Sequence, residues 1–399
     1  MTTEPRFIQI HTLHTYPAAL INRDDAGLAK RLPLGNAMRT RISSQCLKRH
    51  WRIADDRFAL SALAVPMAIR SRGTLELIRK RIVEGGVTET LAQAAVEALR
   101  NGGLVDKAGK EMKGNDALNT GQAVLMGKAE IDYLVQRCIE SASASADESA
   151  VRITVAKMLK DEKKNIEALK HGSGLESALF GRMVTSDVLT SRDAAVYVAH
   201  AFTVHEAQVE NDYFTVVDDL LQESGELGSA GIFDTELASG LYYGYVVVDV
   251  RQLIENLEGL AAKECFAATT PPEKRALAGK VVEHLLHLIA TVSPGAKRGS
   301  TAPFDWAKLM LVEAGDWQPR SLAGAFHDAL PLSARDERPI RERAVVCLSD
   351  EIAKMDEAYG ATLTRRVMAL DPVEIPQAQR LNLSALATWT AEAIVTGAC

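Results

Sequence analysis

Apolar positions along this chain change period several times, and each change predicts an element. Phe7 to Leu13 alternates as a strand does, with Ile8, Ile10 and Thr12 on one side and Gln9, His11 and Leu13 on the other. Tyr16 to Thr40 holds Pro17, Gly27, Pro33, Gly35 and Asn36 without a sustained period and reads as a long loop, a feature that is usually functional or mobile. Ser43 or Ser44 can cap a helix that then runs to about Ala54. From Asp55 to Leu179 the pattern is mainly helical, broken by a Gly/Lys-rich stretch (Asn101 to Asn115) and by the low-complexity Ser141 to Ala146. Within it, Ile153 to His171 is amphipathic: Val155, Met158, Leu159, Ile166 and Leu169 share one face, and Lys157, Lys160 and Lys164 lie opposite.

Leu241 to Val250 is rich in β-branched and aromatic residues and reads as a buried strand. After Pro271 and Pro272, a helix from Glu273 to Val292 carries Leu277, Val281, Leu285, Leu288 and Val292 at the spacing of a core-facing stripe. Lys308 to Glu313 reads as another strand, followed by a helix from Ser321 onward. This order predicts an α+β core of the ferredoxin-like kind, the split βαβ arrangement also used by RNA-recognition modules, with the helical segment inserted into it.

Composition narrows the function classes. The 399 residues are 47% apolar and 25% charged, an ordinary globular balance long enough for roughly two or three domain-sized units. The most apolar stretch, Leu60 to Ile69, is short and broken by Pro66, so no membrane span is expected. With no long hydrophobic stretch near Met1, the expected location is the cytoplasm. The five cysteines (Cys46, Cys138, Cys265, Cys347 and Cys399) are scattered and odd in number, which predicts neither a disulfide framework nor a zinc knuckle, and no cofactor is expected.

The net charge of −6 would argue against a nucleic-acid partner, but it conceals strong segregation. Lys30, Arg31, Arg39, Arg41, Lys48, Arg49 and Arg52 fall in a window with no acid, and between Asp193 and Val250 there are 11 acids with no Lys or Arg. Patches of opposite sign suit an internal contact or a head-to-tail contact between copies; the alternative is two solvated faces.

The strongest constellation is Arg41-Ile42-Ser43-Ser44-Gln45-Cys46-Leu47-Lys48-Arg49-His50-Trp51-Arg52. On a helix, Gln45, Lys48, Arg49 and Arg52 fall within an arc of roughly 100°. The free N–H groups of the first turn, the Ser43 and Ser44 hydroxyls, and Arg39 and Arg41 approaching from the preceding segment add donors at its start. A repeating phosphate backbone satisfies such a set and a single small anion does not. A second constellation, Asp212-Tyr213-Phe214-Thr215 through Leu220 followed by Ser224-Gly225, Gly228-Ser229 and Gly231, reads as a turn-rich excursion between two β-like stretches. On composition alone, Phe214 would be core. Enzyme signatures are thin: Gly172-Ser173-Gly174 and Gly127-Lys128 both fail the phosphate-loop patterns, and the histidine pairs lack metal spacing. Asp24 and Asp25, beside Arg23, are adjacent carboxylates that suit either a divalent metal or a general base, or form a local ion pair.

Several segments, in order, resemble the CasC family, the repeated backbone subunit of the type I-E CRISPR complex called Cascade. They are Phe7-Ile8-Gln9-Ile10-His11, Asn22-Arg23-Asp24-Asp25, Arg41-Ile42-Ser43-Ser44-Gln45 with Leu47-Lys48-Arg49, Gly181-Arg182-Met183 with Thr185-Ser186, Ala199-His200-Ala201, Phe214-Thr215 with Val217-Asp218-Asp219-Leu220, and Pro294-Gly295-Ala296-Lys297. The resemblance implies a hand-shaped subunit: a palm in three parts (1–54, 181–207 and 240–399), helical fingers (55–180) and a thumb hairpin (208–239). It implies that copies polymerise head to tail on a CRISPR guide RNA, present it to a target DNA strand and join other Cascade subunits, without catalysis. Arg23, Arg39, Arg41, Ser43, Ser44, Gln45, Lys48, Arg49, Arg52 and Arg182 would then contact RNA, and Met183, Phe214 and Thr215 would wedge beside a displaced nucleotide. The lysine face at Lys157, Lys160, Lys163 and Lys164 would guide DNA. The departures from the family pattern are Tyr213, Cys46 and Trp51. The alternative is a metal-dependent endoribonuclease using Asp24 or Asp25.

Overall fold

A computed structural model describes all residues except 1–2, 64, 105–117, 121–122, 163–164, 166–172, 184–190, 218–228, 297 and 334–337, with the side chains of 216–217 and 229–232 also left aside. The chain forms two compact units. One comprises Met1–Ala59, Tyr197–Val250 and Ala278–Cys399, the other Leu60–Val196 and Arg251–Leu277.

The first unit is built on β1 (Phe7–Ala19), which lies between β9 (Ser229–Asp249) and β10 (Leu309–Gly315) and pairs antiparallel with both. From Phe7 to His14 its residues are buried on both faces, as expected of a central strand covered on two sides. Beyond β10 come β11 (Thr364–Ala369) and the parallel edge strand β12 (Ala378–Arg380). Beyond β9 come β7 (Ala201–Thr203), β3 (Ala37–Ile42) and β2 (Arg31–Leu34), which completes a large, mostly antiparallel sheet in a mixed α+β structure. Strand β8 (Gln208–Val217) pairs along the first half of β9, from Gln208 opposite Ser239 to Val217 opposite Ser229.

One face of the sheet packs Leu13, Phe202, Tyr243, Leu311 and Val367 against Leu322, Phe326, Leu348 and Ile352, the last two on α10 (Ile340–Tyr359). Towards the other end of β1 on this face sits Glu313, wholly buried, accepting hydrogen bonds from His11 Nε2 (3.2 Å), Arg320 (2.9 Å) and Arg365 Nε (2.7 Å). Burial alone would raise this carboxyl, but the His11 and Arg320 hydrogen bonds hold it well below the ordinary range. The opposite face carries His14, Tyr242 and Val246 towards Trp51 of α1 (Ser44–Arg52) and Ile289 of α8 (Glu273–Thr291).

The second unit contains α2 (Thr74–Glu84), α3 (Glu89–Asn101), α4 (Lys128–Ser143), α5 (Glu148–Asp161) and α6 (Leu175–Phe180), with α7 (Val250–Glu258) lying in its second segment from Arg251. Leu75, Ile78, Leu99, Leu134, Cys138, Val155 and Leu159 fill its core. A two-stranded ladder of β4 (Ala68–Ser71) and β5 (Val124–Gly127) interrupts the helices. Strand β6 (Val196–Val198) pairs with β9 of the main sheet. Among the described residues no helix is long and apolar enough to cross a membrane.

Two expectations fail. The segment from Tyr16 to Thr40 is not one loop: β1 continues to Ala19, and β2 and β3 form a hairpin across Gly35–Asn36. Gly35 has φ +59°, and a Cβ there would meet the His327 carbonyl oxygen at 1.8 Å, so this tight turn requires glycine. The helix expected from Ser321 is only a short 3₁₀ turn, Ala323–Phe326, and the helix proper begins after Pro339, whose fixed φ suits a helix start.

Candidate nucleic-acid interface

Helix α1 begins where the sequence predicts and for the predicted reason. Ser43 caps it, its hydroxyl accepting from the Cys46 N–H at 3.3 Å. The helix is amphipathic: Trp51 is buried, and Cys46 and Leu47 pack on Tyr16, Ile42, Ala201 and Tyr242. Burial pushes the Cys46 thiol upward. Gln45 and Arg49 are therefore exposed, with Lys48 and Arg52 half-buried at the flanks. His50 turns sideways, its Nδ1–H donating to the Cys46 carbonyl (2.8 Å) and its Nε2 accepting from the Gly295 N–H (3.4 Å). Burial first, and then Arg298 and Arg49, depress its pKa.

The loop before β2 is stapled to the start of this helix. Asn22 Oδ1 accepts from the Ser43 N–H at 2.9 Å, and the Lys30 N–H returns to the Asn22 carbonyl at 3.0 Å. Asp24 Oδ1 accepts from the N–H groups of Ala26 (2.9 Å) and Leu28 (3.0 Å), an Asx turn that closes the loop. Arg23 and Asp25 remain exposed. Among the described residues no group of three or more metal-ligating side chains converges.

Further cations gather round α1. Arg41, half-buried, donates to the Arg31 carbonyl (3.2 Å) and to His200 Nδ1 (3.0 Å). The His200 pKa is lowered by partial burial and then by Arg41, Lys30 and Lys48, so four basic side chains share one neighbourhood. Sequence reasoning did not single out Lys30 or His200 as site residues. Lys30 lay in the acid-free window, and His200 lay in a matched segment but was weighed only as a metal ligand.

Two arginines are corrected. Arg39 is fully buried, its guanidinium donating to the carbonyls of Thr203 (2.9 Å), Phe326 (3.1 Å) and His327 (3.1 Å), and burial lowers its pKa. It clamps β3 to β7 and to the 3₁₀ turn and offers nothing to a phosphate. Arg182 is likewise buried in the second unit, paired with Glu130 at 2.7 Å, each side chain 1% exposed. Nearby, Arg192 donates to Ser173 Oγ (2.9 Å) and Asn256 Oδ1 (3.2 Å), and burial with Arg182 lowers its pKa to about 10. This internal network holds the short bridge between Arg182 and Arg192, from which Met183 projects 95% exposed. The Ser43 and Ser44 hydroxyls are also engaged within the chain, Ser43 capping the helix and Ser44 donating to Gln45 Oε1 at 3.3 Å.

The hairpin of β8 and β9 places Phe214 directly opposite Phe233, their rings stacked with centroids 5.5 Å apart and 22° between planes. Both stay solvent-exposed, as do Tyr213 and Thr215. This overturns the composition-only assignment of Phe214 to the core. Phe233 was not anticipated; its signal was an aromatic on the return strand at the pairing position. The hairpin's acids, Glu210, Asp212 and Asp234, are exposed, whereas Glu236 is buried, paired with Arg31 and accepting from the Ala29 N–H at 2.8 Å. The basic and acidic stretches thus meet within one chain at Arg31–Glu236. In the second unit Lys157 and Lys160 are exposed on α5, while Lys163 and Lys164 lie outside the described residues, as do Thr185, Ser186 and Lys297.

Comparisons with known proteins bear on this arrangement. Residues 8–394 match the family model described as CT1975-like protein. No curated protein matches the sequence. Among solved structures, a chain of a "CRISPR RNA-guided surveillance complex, pre-nicking" aligns with TM-score 0.77 and 26% identity, over 97% of this chain and 100% of that one. A chain of another "CRISPR RNA-guided surveillance complex" aligns with TM-score 0.67 and 24% identity over 97% and 99%, a likeness of fold.

Proposed function

The chain belongs to the CT1975-like protein family, and from that premise we propose that it is a guide-RNA-binding backbone subunit of a Cascade-type CRISPR surveillance complex. The observation that carries the reading is the outer face of α1. Gln45, Lys48, Arg49 and Arg52, with Lys30 and Arg41 beside them and His200 accepting from Arg41, form a cationic surface on a helix fixed from beneath by Trp51 and Leu47. Such a face fits successive phosphates of a strand, and counterion release favours their binding. The finer reading is the type I-E backbone role: a ferredoxin-like palm around α1, the β8–β9 hairpin as thumb, and cytoplasmic copies linked head to tail along the RNA. Each copy makes few phosphate contacts, and linkage between copies raises the affinity of the whole. Base pairing then supplies sequence choice while the protein touches backbone and shape, presenting the RNA to target DNA with Lys157 and Lys160 beside the duplex.

The subunit is proposed to be non-catalytic. In the rival nuclease reading Asp24 or Asp25 would serve as base or metal ligand, yet Asp24 Oδ1 already accepts two backbone N–H groups. Incubating the assembled complex with complementary RNA and Mg²⁺ separates the two: regularly spaced cuts lost in Asp24→Ala would favour the nuclease. The main reading is tested by reversing charge at Lys48 and Arg52 together. The variant should stay folded by circular dichroism and lose more than about 100-fold in RNA affinity; co-purification with guide RNA at wild-type yield would overturn it.

A further inference from the structure

The segment between α8 and β10, residues 292–308, includes the short α9 (Arg298–Thr301) and is tied down at several points. The Ala296 N–H donates to the Leu20 carbonyl (2.9 Å) and the Lys308 N–H to the Leu13 carbonyl (2.7 Å), so the segment follows the later half of β1. The Gly295 N–H reaches His50 of α1, and the Ala307 N–H returns to the Ala290 carbonyl (2.8 Å). Its centre is Asp305. The Asp305 carboxylate accepts from the Thr15 N–H at 2.8 Å and pairs with Lys308, while its N–H and C=O both bond the Ser293 hydroxyl at 2.8 Å.

That anchoring has a geometric result. Phe304 and Trp306 flank the inward-held Asp305 in the chain. They are 72% and 70% exposed, although Pro303 and Ala307 on either side are buried. Just upstream, Ala302 adopts φ +38°, a conformation that residues with a side chain rarely take and that tends to persist where a structure presents something. Two large aromatics this exposed, two residues apart on an anchored segment, offer apolar area to a partner. Lys308 and Asp305 pair with each other, which leaves Arg298 as the segment's cation among its described residues. Arg298 lies close enough to α1 to depress His50 together with Arg49.

We propose that Phe304 and Trp306 are a base-stacking platform for single-stranded RNA, set beside the phosphate-binding face of α1. Aromatic faces next to fixed cations suit a nucleobase and its phosphate together, and such stacking tolerates any sequence. A protein partner, by contrast, would call for a broader apolar patch. The inference rests on the RNA-binding reading above and adds contacts that reading does not contain.

The test uses the full chain and guide RNA substituted with 5-iodouridine, irradiated and mapped by mass spectrometry. Crosslinks at Trp306 or Phe304 are expected. The double variant Phe304→Ala, Trp306→Ala, folded by circular dichroism, should bind RNA about tenfold more weakly at an unchanged salt slope. Wild-type affinity in that variant, with crosslinks confined to Phe214, Phe233 or Tyr213, would overturn the platform while leaving the RNA-binding reading intact. Loss of self-association at unchanged RNA affinity would also overturn it and assign the pair to a second copy. A wild-type chain that binds no RNA defeats both readings.

Discussion

Helix α1 and the β8–β9 hairpin belong to the same unit yet are built in opposite ways. The helix has its aromatic residue beneath, Trp51 being buried, and its charge outside. On the described part of the hairpin the aromatics are outside, Phe214 stacked on Phe233, and the neighbouring charges are negative. A polyanion can approach the first by charge and the second only by shape, because Glu210, Asp212 and Asp234 repel phosphate. The two regions therefore answer to different variables: ionic strength governs one and surface contact the other.

Measuring RNA affinity against salt gives the sharpest separation. If Lys48, Arg49 and Arg52 each neutralise one phosphate of a single strand, a fourfold rise in salt should weaken binding roughly twentyfold, and Arg49→Ala should flatten the log–log slope by about 0.7. Replacing Phe214 or Phe233 by Ala should weaken binding about tenfold while leaving that slope alone; a change of slope would break the division. The smallest effect on binding is expected at Arg39. Arg39→Ala takes the donor from the buried Thr203 and Phe326 carbonyls and from that of His327, so it should lower stability by about 3 kcal/mol, read as a fall in Tm. The RNA affinity of the folded fraction should not change.

What was legible in the sequence follows from how local each signal is. Helix α1 could be read because a capping hydroxyl, an apolar inner face and a cationic arc all lie within ten residues. The β2–β3 hairpin was missed because Pro33 breaks the alternation, although an edge strand tolerates proline, and because the Gly35–Asn36 turn that marks it was counted as loop. Arg39 and Arg182 were misread for a shared reason: proximity to a cationic or matched motif says nothing about direction. Their partners, Thr203, Phe326 and His327 for one and Glu130 for the other, are 52 residues or more away in sequence. Phe304 and Trp306 gave no periodic signal at all, since their exposure depends on an anchor made to Thr15 and Ser293. The mixed α+β class was visible in the order of elements, and the extent of the sheet was not, because its outer strands β11 and β12 follow a helix whose start was misplaced.

The interior carboxylate of Glu313 bears on how the chain chooses among alternative foldings. Gln9 lies opposite Glu313 across β1 and β10, and His11 and Arg365 reach it from the two neighbouring strands. Sliding β1 by a single position would swing His11 to the reverse side, leave the buried carboxylate to Arg320 and Arg365 alone, and at the same stroke turn the apolar set of the strand the wrong way. The central sheet thus carries an ionic key that admits one alignment, and whatever the outer surfaces grip inherits its accuracy from that hidden lock.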